Sequence, residues 1–130
     1  MASSDDYVLV VEDDDELRET LVEFLYEEGY ASCSAANGEE ALAFLKAAPA
    51  PCLVLLDQSM PGMTGEELLR LMRAAPALAE VPVCVVTGDL RRAPVDADAV
   101  IKKPIDVSDL LKVLDRHCRG RADGTSPAPV

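Results

Sequence analysis

The sequence predicts an α/β protein built on a mostly parallel sheet with helices on both faces. Apolar runs of strand length alternate with stretches of helical spacing five times along the chain. The runs at Leu53–Leu56 and Val81–Val86 are apolar without alternation, as strands buried on both faces are. Parallel strands also need crossovers, and the intervening helical stretches supply them.

The elements follow in order. Tyr7 to Val11 is a short apolar strand, preceded by two Asp and followed by an acidic cluster. Leu17, Leu21, Phe24 and Leu25 recur at helical spacing, and Gly29 stops that helix. Tyr30 to Ala35 is polar enough to be an edge strand. Asn37 with Glu40 has the form of a capping box, ahead of an apolar face of Ala41, Phe44, Leu45 and Ala48. The third strand ends on Asp57, and a Met60-Pro61-Gly62 turn follows. Thr64 with Glu67 repeats the capping pattern before Leu68, Leu71 and Met72. Val81 to Val86 is the fourth strand, and Pro82 near its start is tolerable there. Gly88 to Asp98 is weak in helical pattern; Ala99 to Ile101 is a short strand. Val107, Leu110, Leu111, Leu114 and Cys118 mark the last helix.

The totals bound the function. A chain of 130 residues, 49% hydrophobic, is one packed domain. A net charge of -12 without a basic stripe excludes direct nucleic-acid binding and a membrane-surface role. No signal peptide and no membrane-length apolar stretch is visible, so the expected location is cytoplasmic. Cys33, Cys52, Cys84 and Cys118 lack CxxC spacing and read as reduced, structural thiols.

Four strand ends carry the chemistry. The first ends in Glu12-Asp13, the third in Asp57, the fourth in Thr87-Gly88 and the fifth in Lys103-Pro104. In a parallel sheet these ends share one edge. Converging carboxylates stay ionised only with a cation between them, and hard oxygen donors without His or Cys suit Mg²⁺. A Thr hydroxyl and a Lys ammonium can each hold a phosphoryl oxygen, while a carboxylate such as Asp57 can attack phosphorus. Asp14 and Asp15 need no metal, since acids at a helix start cap it. His117 reads as a surface residue or a helix C-terminal cap, away from the site.

These motifs together resemble the receiver domain of two-component response regulators. They are Glu12-Asp13, Asp57-x-x-Met60-Pro61-x-x-x-Gly65, Val86-Thr87-Gly88 and Lys103-Pro104, and the likeness covers roughly residues 7–118. The resemblance implies a flavodoxin-like, doubly wound sheet of strand order 2-1-3-4-5. It implies that Asp57 takes a phosphoryl group from a histidine kinase or phosphotransfer protein, with Mg²⁺ held by Glu12, Asp13, Asp57 and the backbone carbonyl of Ser59. Thr87 and Lys103 would contact the phosphoryl group, and Lys103-Pro104 would be cis. Ser59 and Asp89 would tune the phosphoryl lifetime. Residues 1–6 are then an N-terminal extension, 7–118 the receiver and 119–130 a flexible tail.

Two departures stand out. Val100 occupies a place where the family usually carries Tyr or Phe, and valine is too small and stiff to act as that rotamer switch. The span from Thr87 to Lys103 is shorter than the family norm by roughly one and a half helical turns. A helix there, the fourth of the family, is therefore short, irregular or lost. The usual dimer face, which that helix shares with the fifth strand and last helix, is not expected to be used, leaving a monomer or weak dimer.

The resulting expectation is a phosphoacceptor switch acting on an unknown downstream protein, either as a single-domain regulator or as a module of a hybrid histidine kinase or larger regulator. It is not an enzyme beyond its own phosphorylation and dephosphorylation. An aspartyl-phosphate phosphatase of the dehalogenase type would need a second carboxylate where Ser59 stands. A flavodoxin-like cofactor binder would need a phosphate loop after the first strand, and none is present.

Overall fold

A computed structural model describes residues 6–119. The expectations for residues 1–5 and for the tail from residue 120 onward lie outside the described residues. Five strands and four α-helices alternate: β1 (Tyr7–Val11), α1 (Asp15–Glu27), β2 (Ala31–Ala35), α2 (Gly38–Ala47), β3 (Leu53–Asp57), α3 (Gly65–Ala74), β4 (Val83–Thr87), β5 (Ala99–Lys102) and α4 (Val107–His117). The sheet is wholly parallel in the order β2-β1-β3-β4-β5, as the resemblance implies.

The strands divide their side chains between two cores. Leu9, Val11, Val54, Leu56, Val83 and Val85 point to the face covered by α2 and α3, where Leu45, Leu68 and Met72 meet them. Val8, Val10, Leu53, Leu55 and Cys84 point to the other face, under Leu21 and Leu25 of α1 and Leu110 and Leu114 of α4. Every residue of β1, β3 and β4 is buried, which is why these strands carry no alternation in sequence. β2 lies at one edge and is largely exposed.

Local signals set most helix boundaries. Gly29, at φ 90°, reverses the chain after α1. Thr64 and Glu67 form the complete capping box of α3. At α2 the expected box closes only halfway: Asn37 caps the Glu40 N–H, but Glu40 accepts instead from the Ala36 N–H at 2.6 Å. On α3, Leu69 rather than Leu71 completes the buried stripe, and Leu71 is exposed.

Between β4 and β5 the chain makes one 3₁₀ turn, Leu90–Arg92, where the resemblance leads to the expectation of a short, irregular or lost helix. The stretch after it is held from below by Arg73, near the end of α3. Its guanidinium donates to the carbonyls of Ala79 (3.2 Å), Val81 (2.8 Å) and Asp96 (3.1 Å), and to the Asp98 carboxylate at 2.8 Å. Asp98 in turn accepts from the Val83 N–H at 2.8 Å.

One expectation fails here. Cys52, just before β3, and Cys118, just after α4, form a disulfide across 66 residues of sequence. Their distance along the chain hides a proximity that only the docked α4 creates. A crosslink closing a loop of that length stabilises by about 4 kcal/mol in the chain-entropy picture. Cys84 and Cys33 are free. Burial pushes the Cys84 thiol up to about 12, so it behaves as a core hydrophobe.

Candidate functional site

The parallel sheet brings the β1, β3, β4 and β5 termini to one edge, and the predicted residues gather there. Asp57 is the last residue of β3 and is only 3% exposed. Such burial of a lone carboxylate is costly, and the structure compensates it. Asp57 Oδ1 lies 3.2 Å from Lys103 Nζ, and the same oxygen accepts from the Ser59 N–H at 3.2 Å. Lys103 is placed by its N–H bond to the Thr87 carbonyl (2.8 Å), and its peptide bond to Pro104 is cis.

Glu12 and Asp13 follow β1. Carboxylate oxygens of Glu12, Asp13 and Asp57 all lie within 4.8 Å of one another. Glu12 is buried; its carboxylate accepts from the Asp14 N–H at 3.1 Å, and its backbone carbonyl accepts from Arg18 Nη1 at 2.8 Å. Desolvation, with the charge of Asp57 adding to it, raises the Glu12 carboxyl to about 7. One ammonium, Lys103, does not balance three acids. The set is oxygen-only and short of positive charge, which fits a hard divalent cation such as Mg²⁺. Asp14 caps α1, accepting from the Leu17 N–H at 3.1 Å, and Asp15 pairs with Arg18; neither lies in the cluster.

The raised Glu12 carboxyl has a measurable consequence for the metal-free protein. The native state keeps this proton up to about pH 7, whereas the unfolded chain releases it near 4.5. Between those values the native state binds more protons, so this residue's contribution to stability is present below pH 4.5 and is lost as pH rises through 7. In chelator-containing urea melts, Glu12→Gln should therefore gain stability relative to wild type from pH 5 to pH 8. A constant gap between the two proteins would refute the assignment.

Thr87 ends β4 and is buried, and its hydroxyl is engaged by the Asp89 backbone. It donates to the Asp89 carbonyl and accepts from the Asp89 N–H, both at 3.1 Å. The Asp89 carboxylate is hydrogen-bonded by Arg91, which holds it below the usual range and pairs its charge. Val100 is 37% exposed on β5, in register with Val85. His117 is the last residue of α4, at the far end of the sheet from Asp57 as expected, but it is half-buried and Cys118 is the C-cap.

One contributor, Gln58, was not found by sequence reasoning, nor was the physical role of another, Gly65. Gln58 donates from Nε2 to the Arg92 carbonyl at 2.6 Å, tying the residue after Asp57 to the 3₁₀ turn. Beside this link lies a pocket of about 480 Å³, lined by Gln58, Ser59, Thr87, Gly88 and Arg92 among others. Gly65 is the second. A Cβ there would stand 2.4 Å from the Asp57 carbonyl oxygen and 2.8 Å from Gln58 Cα, so α3 begins directly against the end of β3. Its place in the Asp57 phrase was legible; the reason for it was not.

Residues 8–115 match the family model of the response regulator receiver domain. The chain belongs to that family. This receiver is 30% identical over 129 residues to the phosphate regulon transcriptional regulatory protein PhoB of Pseudomonas aeruginosa, covering 95% of this chain and 56% of that one. It spans about half the length of the transcriptional regulators it matches. The response regulator TrrA of Thermotoga maritima, solved in complex with Mg²⁺ and beryllofluoride, shares 32% identity at a TM-score of 0.76, over 85% of this chain and 96% of that one. The chemotaxis protein CheY4 of Vibrio cholerae shares 30% at 0.76, over 85% and 97%. Among the described residues, no helix of the receiver is long and apolar enough to cross a membrane.

Proposed function

We propose that this receiver is a phosphoacceptor switch in which Asp57 takes a phosphoryl group from a histidine kinase or phosphotransfer protein. The observation that carries the reading is the buried Asp57 carboxylate, ion-paired with Lys103 at 3.2 Å and joined by two further acids. In this reading the carboxylate oxygen of Asp57 attacks phosphorus in line as the bond to the donor breaks. The Lys103 ammonium leaves Asp57 Oδ1 for a phosphoryl oxygen. Thr87 exchanges its two bonds to Asp89 for the phosphoryl group, which loosens the turn before Leu90. Glu12, Asp13, Asp57 and the Ser59 carbonyl would hold Mg²⁺, which when bound neutralises charge on the phosphoryl oxygens. Beyond its own phosphorylation and dephosphorylation the domain turns over no substrate.

The test is incubation with acetyl phosphate and Mg²⁺. Wild type should gain an acid-stable, base-labile phosphate, and Asp57→Asn should gain none. Equal labelling of both would end the proposal. The shortened segment between β4 and β5 also supports signalling without the usual dimer face, so beryllofluoride-treated protein should sediment as a monomer.

A second reading, a receiver module of a larger protein, is supported by the half-length matches. It is supported too by 31% identity to the receiver domain of a signal transduction histidine kinase from Syntrophus aciditrophicus, over 95% of this chain. The site chemistry is the same in both, and the size of the native polypeptide on an immunoblot separates them.

A further inference from the structure

We propose that Cys52 and Cys118 form a reversible dithiol–disulfide pair, oxidised by a low-molecular-weight disulfide, whose closure fastens the last turn of α4 to the start of β3. The bond joins these two residues across the fold. Both are partly exposed, within reach of small thiols and disulfides. The other two cysteines do not compete: Cys84 is wholly buried, and Cys33 stands exposed and free on the edge strand.

The two anchors differ in how firmly they are held. Cys52 is fixed by its own N–H bond to the Tyr7 carbonyl at 2.8 Å and leads straight into the central strand. Cys118 hangs at the end of a helix, held by its N–H bond to the Leu114 carbonyl and by the Arg119 N–H bond to Asp6. The body of α4 docks through Leu110, Val113 and Leu114, and these contacts do not need the crosslink. Opening the bond therefore frees the last turn rather than the domain.

The exchange balances. One cysteine thiolate attacks a sulfur of the small disulfide, forming a mixed disulfide and expelling one thiolate. The second cysteine then attacks the protein sulfur, closing Cys52–Cys118 and expelling the other thiolate. Two electrons pass from the cysteines to the reagent, and their two protons to the departing thiolates. Reduction is the reverse. β3 separates this chemistry from Asp57 by five residues, roughly 16 Å of strand. Redox state thus acts on the α4 end while the phosphoacceptor edge stays assembled.

The experiment equilibrates the full chain in glutathione buffers from oxidising to reducing, without denaturant. Free thiols are trapped with a maleimide and mapped by mass, and amide exchange is followed from Leu114 to Cys118. Cys33 should label throughout, whereas Cys52 and Cys118 should become reactive together in the folded protein. Exchange at the α4 end should rise about tenfold or more, as local opening does, with β3 unchanged. The reduced chain should melt about 10 °C lower and still accept phosphate from acetyl phosphate. Cys118→Ser should exchange like reduced wild type in every buffer. A pair that glutathione reduces only after urea unfolding, or equal α4 exchange in both states, would overturn the proposal and make the bond a fixed staple. Neither result bears on Asp57 chemistry, so the phosphoacceptor reading stands or falls separately.

Discussion

Gly65→Ala should destabilise the receiver by about 3 kcal/mol or more and slow phosphorylation of Asp57 by at least tenfold. The added methyl would meet backbone, not a side chain able to turn aside: the Asp57 carbonyl at 2.4 Å, Gln58 Cα at 2.8 Å and the Asp57 carbonyl carbon at 3.1 Å. Relief requires α3 to back away from β3. That motion breaks the Gly65 N–H bond to the Gln58 carbonyl and shifts Asp57 relative to Lys103. Gly88→Ala is the matched control, because a Cβ at Gly88 meets nothing within 4 Å. Thermal melts and acetyl phosphate labelling of the two variants check this. If Gly65→Ala melts and labels like Gly88→Ala, the close approach has no energetic consequence.

Arg73→Met should cost about 2–3 kcal/mol and loosen the segment between β4 and β5. Methionine keeps the apolar stem and removes the guanidinium. Three backbone carbonyls and the Asp98 carboxylate then lose their donor at once. The figure is held below the sum of four charged hydrogen bonds because the Asp98 side chain is 41% exposed and water can replace part of the loss. Amide exchange should accelerate at Val83 and Asp98, which bond to each other through this network. Unchanged protection at both amides would show that the helix-poor segment is held by something else.

The fold was legible because its signals are local and repeated. Unbroken apolar runs mark strands buried on both faces, and the Thr64–Glu67 box marks a helix start to the residue. The gathering of Glu12, Asp13, Asp57 and Lys103 was legible because a parallel sheet puts all strand ends on one edge. What escaped was specific long-range pairing. Cys52 with Cys118 and Arg73 with Asp98 are neighbours only once the helices dock, and no periodicity encodes them. Leu71 was misplaced for a smaller reason. Leu68, Leu69, Leu71 and Met72 crowd one short helix, and composition cannot say which leucine turns outward.

The division of the strands between two cores separates residues that the chain holds together. Leu55 and Leu56 share a peptide bond, yet Leu55 packs under α1 and α4 while Leu56 packs under α2 and α3. Energetic coupling follows contact rather than sequence, so Leu56 is tied more closely to Val85 or Leu9 than to its own covalent neighbour. The two faces of this domain can accordingly accumulate substitutions on separate histories.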